Sequence, residues 1–337
     1  MTVYYRPLVQ TGTTRPKNAQ PIAGGWCWFV SAERIERNGG REIVAIDQIP
    51  NHVLSAIITP RADIVGLSMD KPRLMGVLNV TPDSFSDGGQ FNATDLAVSR
   101  FIELTRNGAD IVDIGGESTR PGAEIVPGDE EIARTVPVID AIKNGPEIPI
   151  SIDTRKAPVA RAAIKAGASI VNDVSSFSFD PQMAEVVSEN KIPVCLMHAS
   201  GSPKTMQNNP IYQDVLLDVY DHLENRIAFA EAAGVQRNCI IIDPGIGFGK
   251  TIEHNLALLQ GLSLFHTLGC PILLGASRKK FIGTLADAPN TADRVAGSVA
   301  VALAAIAQGV QFHRVHDIKE TRQALILWAA ATGTRQQ

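Results

Sequence analysis

The stretch Ile150–Asp173 reads ISIDTRKAPVARAAIKAGASIVND. Ile150–Asp153 is a short β-branched apolar run that ends on an acid, the pattern of a buried strand. Pro158–Ala166 is helix-compatible and rich in alanine. Gly167-Ala168-Ser169 resembles a helix C-cap feeding the next strand, and Ser169–Asp173 is a second β-branched run. Strand, helix and strand in such close succession form a βαβ unit, which calls for a parallel sheet.

Outward from this unit the same rhythm runs from about Arg73 to the end of the chain. Further strands are expected at Leu74–Val80, Ile111–Gly115, Pro193–His198, Ile240–Asp243, Ile272–Gly275 and Phe312–His316. Helices are expected at Thr94–Arg106, Asp129–Lys143, Pro181–Glu189, Tyr212–Ala233, Ile252–Phe265, Asp293–Ala307 and Ile318–Ala330. A second cap-like turn, Gly108–Asp110, feeds the Ile111 strand. Eight right-handed units close naturally into a ring, so the class is α/β and the fold a (β/α)8 TIM barrel over residues 73–337. Residues 1–72 lack the rhythm and read as an N-terminal extension with a few strands around the apolar runs Trp26–Val30, Glu42–Ile46 and Val53–Ile58, packed on the barrel. Trp26 and Trp28 belong to its packing.

Composition narrows the function. The 337 residues are 45% hydrophobic and 20% charged, with a net charge of −4, so a nucleic-acid partner is not expected. No apolar run of about 18 residues occurs, so no membrane partner is expected either. The N-terminus lacks an apolar signal core, and the expected location is cytoplasmic. Cys27, Cys195, Cys239 and Cys270 lie far apart, which supports neither a zinc site nor a redox pair.

In a barrel of this kind the reactive groups gather where the strands end. Here every strand delivers polar groups to that rim: Asn79, Asp113, Asp153, Asn172, Met197-His198, Asp243, Ser277-Arg278-Lys279 and Arg314-Val315-His316. Arg120, Lys279, Arg314 and His316 can receive an anion. Asn79 is a neutral oxygen ligand suited to Mg²⁺, which shares its ligands with substrate phosphates. Asp153, Asn172 and Asp243 could hold a polar ring by paired hydrogen bonds, with Met197 and Phe248 offering apolar surface to a flat ring. Residue chemistry therefore reaches an anionic leaving group joined to a polar heterocycle. Asp113 reads equally as a ligand or as a support for the ligands. His198 reads as a core histidine, and Lys250 as a contact to phosphate or, in preference, a group that caps or pairs at a helix start. The Gly-, Ser- and Pro-rich loops Thr81–Phe91 and Gly116–Pro127 could act as lids that exclude water.

The ordered motifs resemble one family. LMGVLNVTPDSFSDGG (Leu74–Gly89) and DIGGESTRPGA (Asp113–Ala123) are similar to the two signature segments of dihydropteroate synthases. SIDTRKA, IVNDVSS, LMH…PKTMQ, IDPGIGFGK, GASRKKFIG and RVHD follow in the family's order, over roughly residues 73–330. The resemblance implies condensation of 6-hydroxymethyl-7,8-dihydropterin diphosphate with p-aminobenzoate, giving dihydropteroate and diphosphate. It also implies Mg²⁺ as cofactor, a homodimer and a sulfonamide target. On the matching residues, Asn79 would bind the metal. Asp153, Asn172, Asp243 and Lys279 would hold the pterin, with Met197 and Gly275 beside it. Thr119, Arg314 and His316 would face the diphosphate, and Arg120, Pro121, Phe248 and Ser277 would border the p-aminobenzoate pocket. The catalytic group would be Asp153, Lys279, Arg314 and His316. The chain departs from the family's pattern at Ala199, where a methionine is frequent, and at Ile246, where an aromatic is common.

Three other functions fit parts of the pattern. A pterin-dependent methyltransferase would share the Asp and Asn residues but needs neither Arg314 and His316 nor the GGESTRPG loop. A Schiff-base aldolase could use Lys279, although nothing asks for a carbonyl substrate. A non-catalytic pterin-binding paralogue would have lost Asn79, Asp153, Lys279 or Arg314, and all four are present.

Overall fold

The computed structural model describes residues 2–81, 90–118, 122–143, 145–201, 206–207 and 209–334, the side chains of 90–93 excepted. Eight parallel strands carry the fold: β6 (Arg73–Asn79), β7 (Ile111–Gly115), β8 (Ile150–Asp153), β9 (Ile170–Asp173), β10 (Val194–Met197), β11 (Ile240–Asp243), β12 (Leu273–Leu274) and β13 (Phe312–Val315). They are hydrogen-bonded in the order β11-β10-β9-β8-β7-β6-β13-β12. A single bridge between Ile242 and Ile272 joins the two end strands and closes the ring. The expected strands are all present. β12 is expected over four residues and is only two long. It starts after Pro271, which has no N–H to give, and the Ile272 N–H bonds to the Gln311 side chain instead.

Helices α2 (Gln90–Arg106), α3 (Gly128–Ile142), α4 (Ala157–Ala166), α5 (Gln182–Asn190), α6 (Val215–Ala232), α7 (Ile252–Gln260), α8 (Lys280–Leu285), α9 (Val295–Ile306) and α10 (Ile318–Thr332) wrap the sheet. Their ends follow local chemistry. Gly167 caps α4 at φ +132, its N–H reaching the carbonyls of Ala163 and Ile164. Asp214 caps α6 by accepting from the N–H groups of Leu216 and Leu217. The helix expected over Ile252–Phe265 breaks at Gly261, where a Cβ would stand 2.6 Å from Leu216. The chain continues as a tight 3₁₀ segment, Leu262–Leu268. Among the described residues no helix is long and apolar enough to cross a membrane.

Residues before β6 form a three-stranded antiparallel sheet of β1 (Val3–Pro7), β4 (Ser31–Glu36) and β5 (Arg41–Ala45), and a small pair, β2 (Gln20–Pro21) and β3 (Trp28–Phe29). The apolar run Val53–Ile58 lies in a helix, α1 (Asn51–Ile58), rather than in another strand. Ile57 is buried with Val53, Leu54 and Ile58 packed beside it, while Asn51, His52 and Ser55 are exposed, as in an amphipathic helix. This region is tied to the barrel by specific bonds. Tyr4 Oη and Arg37 meet Asp221 of α6, Arg37 also meets Asp218, and Trp26 Nε1 donates to the Ile306 carbonyl at 2.8 Å. Ile64 and Met69 pack against Met75, Ile111, Ile170, Cys195, Ile241, Leu273 and Phe312, residues near the beginnings of seven barrel strands. They cover the end of the barrel opposite the polar rim. Ile64 is fully buried, so Ile64→Ala should cost about 2–5 kcal/mol of stability. Urea unfolding will measure that loss, and kcat should stay unchanged because the residue lies at the far mouth.

Candidate active site

The strand ends bring the expected residues together. Arg314, on β13, donates from Nε to Asp113 at 2.6 Å and from an Nη to Asp153 at 2.8 Å. Asn172, on β9, donates to the same Asp113 oxygen at 3.1 Å. Asp113 is completely buried and so supports Arg314 and Asn172 from beneath. Among the described residues, one oxygen of Asp113 and one of Asp153 nevertheless have no hydrogen-bond partner. A buried carboxylate oxygen left unpaired costs about 1–3 kcal/mol. Burial and the neighbouring Asp113 push the Asp153 carboxyl up to about 7, against the pull of Arg314.

Across the rim, Asp243 ends β11 and accepts from the Gly245 N–H at 2.7 Å. Burial raises its pKa, and the nearby Lys279 opposes the rise. Lys279 donates to the Ile246 carbonyl and stands 4.5 Å from the centre of the Phe248 ring. Burial lowers its ammonium to about 8, partly offset by Asp243. Gly275 leaves the floor between these groups flat: a Cβ there would stand 3.6 Å from Asp243 and 3.9 Å from Arg314. Met197 pairs in register with Asp243 and is buried. On the β12–β13 side, Ser277 Oγ is 3.0 Å from His316 Nδ1. A cavity of about 70 Å³ adjoins Phe248, with Ala199, Val174 and Arg155 among its walls.

Asn79 ends β6 beside Gly115 of β7. Because Gly115 has no side chain, Asn79 Oδ1 and an Asp153 oxygen border one open spot, each 3.7 Å from where a Cβ would be. Among the described residues no three His, Cys, Asp or Glu side chains gather as a metal cluster. One amide oxygen near a carboxylate still fits a hard cation that keeps waters and borrows phosphate oxygens. Thr119, Arg120 and Pro121 lie outside the described residues, as does most of the first loop, 82–89.

Sequence reasoning missed the base of the second loop. Glu117 accepts from the Val126 N–H, from Arg155 at 2.9 Å and from Lys156 at 3.0 Å, and Lys156 also reaches Glu131 at 2.6 Å. The Arg-Lys pair directly after Asp153-Thr154 was the available signal. His198 is a buried histidine, as expected, held neutral with its pKa down at about 2 by burial and by Lys250.

Comparison with known proteins agrees with this geometry. The family model described as pterin binding enzyme matches residues 75–316. Dihydropteroate synthase of Synechocystis is 47% identical over 250 residues, covering 74% of this chain and 86% of the relative. That of Escherichia coli is 45% identical over 270 residues, covering 80% and 95%. The chain belongs to the dihydropteroate synthase family. Solved synthases superimpose well. The Xanthomonas albilineans enzyme with 4-aminobenzoic acid gives a TM-score of 0.76 at 45% identity, covering 81% of this chain and 98% of the other. The same enzyme in complex with 7,8-dihydropteroate gives 0.73 at 42%, with the same coverage. The family match begins at residue 75, so the floor built by Ile64 and Met69 lies outside it.

Proposed function

We propose that this chain joins 6-hydroxymethyl-7,8-dihydropterin diphosphate to p-aminobenzoate. The observation that carries this is the convergence at the strand ends of Asp153, Asn172 and Arg314 on one side with Asp243 and Lys279 on the other, in a chain of the dihydropteroate synthase family. A ring bearing several N–H groups would be met by Asp153 and Asp243, and Lys279 would donate to a ring acceptor. Asn172, Met197 and Gly275 complete the pterin slot.

The reaction breaks the C–O bond between the pterin methylene and the diphosphate, and the electron pair leaves with the diphosphate. The amine of p-aminobenzoate then forms the new C–N bond and loses its proton. Asp153 faces the methylene as positive charge grows there, while the free edge of Arg314, together with His316 and Thr119, faces the departing anion. Asn79 would hold Mg²⁺, which when bound would supply further positive charge to that anion. Arg120, Pro121, Phe248 and Ser277 border the incoming amine. A methyltransferase has no use for the Arg314–His316 side of this rim. Residues 1–72 serve as a structural floor without a chemical role. The working form is a homodimer, the part of the reading that rests on family resemblance.

Diphosphate release that depends on both substrates is the direct test. Lys279→Ala and Asp243→Asn should each weaken pterin diphosphate binding about 10- to 100-fold, as expected when a buried polar partner is left unpaired. Calorimetry showing wild-type affinity in either variant would remove that residue from the slot.

A further inference from the structure

Lys250 closes the turn Pro244–Gly249 that follows β11, and the turn directs its amino group inward. The residue is 4% exposed. Its Nζ lies 2.9 Å from the Gly245 carbonyl, 3.0 Å from that of Phe248, 3.4 Å from that of His198 and 2.8 Å from His198 Nδ1. No carboxylate is hydrogen-bonded to it among the described residues. The carbonyls converge because Gly245, Gly247 and Gly249 take left-handed backbone at φ +69, +83 and +64. At Gly245 a Cβ would stand 1.8 Å from the His198 carbonyl, so glycine is obligatory there.

The outer face of the same turn receives Lys279. Its Nζ donates to Ile246 O and faces the Phe248 ring, and its chain lies so close over Gly247 that a Cβ would come within 3.0 Å. The turn therefore stands between two lysines, one filling its inside and one resting on its outside. Secondary ties hold its flanks: Asn255 accepts from the Gly247 N–H, and Tyr212 Oη donates to the Gly249 carbonyl. None of these fills the centre. Burial holds the Lys250 amine well below its usual pKa, and without its N–H groups the Phe248 carbonyl would lose the Lys250 donor while that of Gly245 would keep only the Phe248 N–H.

We infer that Lys250 is a positioning residue: by drawing the carbonyls of Gly245 and Phe248 inward it sets the Ile246 carbonyl and the Phe248 ring on which Lys279 is seated. It acts through Lys279, so the inference rests on the proposed role of Lys279 in holding the pterin.

A double-mutant cycle tests it, with the dissociation constant of the pterin diphosphate read by calorimetry. Lys250→Met should weaken binding at least tenfold, Lys279→Met by as much or more, and the double variant no further than Lys279→Met alone. Losses that multiply in the double variant, or an unchanged constant in Lys250→Met, would overturn the inference. Lys250→Gln is the companion variant if the methionine protein fails to fold. Its two N–H groups can serve Gly245 and Phe248, and its smaller loss should likewise vanish in the Lys279→Met background. Wild-type enzyme that does not bind the pterin diphosphate would sink the pterin reading and this inference with it, a result separable from a cycle that is merely additive.

Discussion

Arg314→Met is expected to lower kcat by about 10³-fold, the scale of losing a preorganised charge at the departing group. The loss should hold at any p-aminobenzoate concentration, because the proposed role of Arg314 is in bond cleavage rather than amine capture. Positional isotope exchange within the diphosphate reads cleavage directly and should fall in parallel. The variant also leaves Asp113 and Asp153 as two buried carboxylates without their common cation, which costs about 3–5 kcal/mol. Stability and chemistry are separated by adding Asp113→Asn, which removes one stranded charge. The double variant should regain much of its melting temperature and none of its turnover. Recovery of turnover would show that Arg314 serves only to hold the fold.

Asp153→Asn should make the empty protein more stable at alkaline pH while reducing turnover about 100-fold or more. In the folded state the Asp153 carboxyl is pushed up to about 7 from an ordinary 3.8, so the folded chain holds its proton more tightly than the unfolded chain. Stability contributed by this group is full below about 3.8, declines as pH rises toward 7, and is lost above it. Asparagine removes that decline. The variant should exceed wild type by about 1–3 kcal/mol at pH 8, with the difference shrinking below pH 5. Urea midpoints at the two pH values check this. A variant that is weaker at pH 8 would mean that the ionised pair with Arg314 is a net source of stability.

The barrel was legible because its strands are short, β-branched and regularly spaced, and burial of both faces leaves few other choices for such runs. Ile111–Gly115, Ile150–Asp153 and Ile240–Asp243 match residue for residue. The break at Gly261 was not legible, since it depends on how closely Leu216 of α6 approaches. Val53–Ile58 is apolar enough for either a strand or a helix, and only its one-sided packing decides. At the rim, the types of the site residues could be read and their pairings could not. Asp113 stood open between ligand and support until Arg314 and Asn172 were seen to converge on one of its oxygens. The inward turn of Lys250 follows from three left-handed glycines, whose presence is visible in GIGFG and whose combined curvature is not.

The closure of the ring between β11 and β12 carries a further meaning. Where the other strands share ladders, this seam has the single bridge between Ile242 and Ile272. Asp243 stands at the end of one bordering strand, and Lys279 follows the other. A pterin gripped by both would span the gap like a rung added to an unfinished ladder. Occupancy and cohesion of the barrel would then be thermodynamically linked, so that the enzyme is mechanically completed by the molecule it transforms.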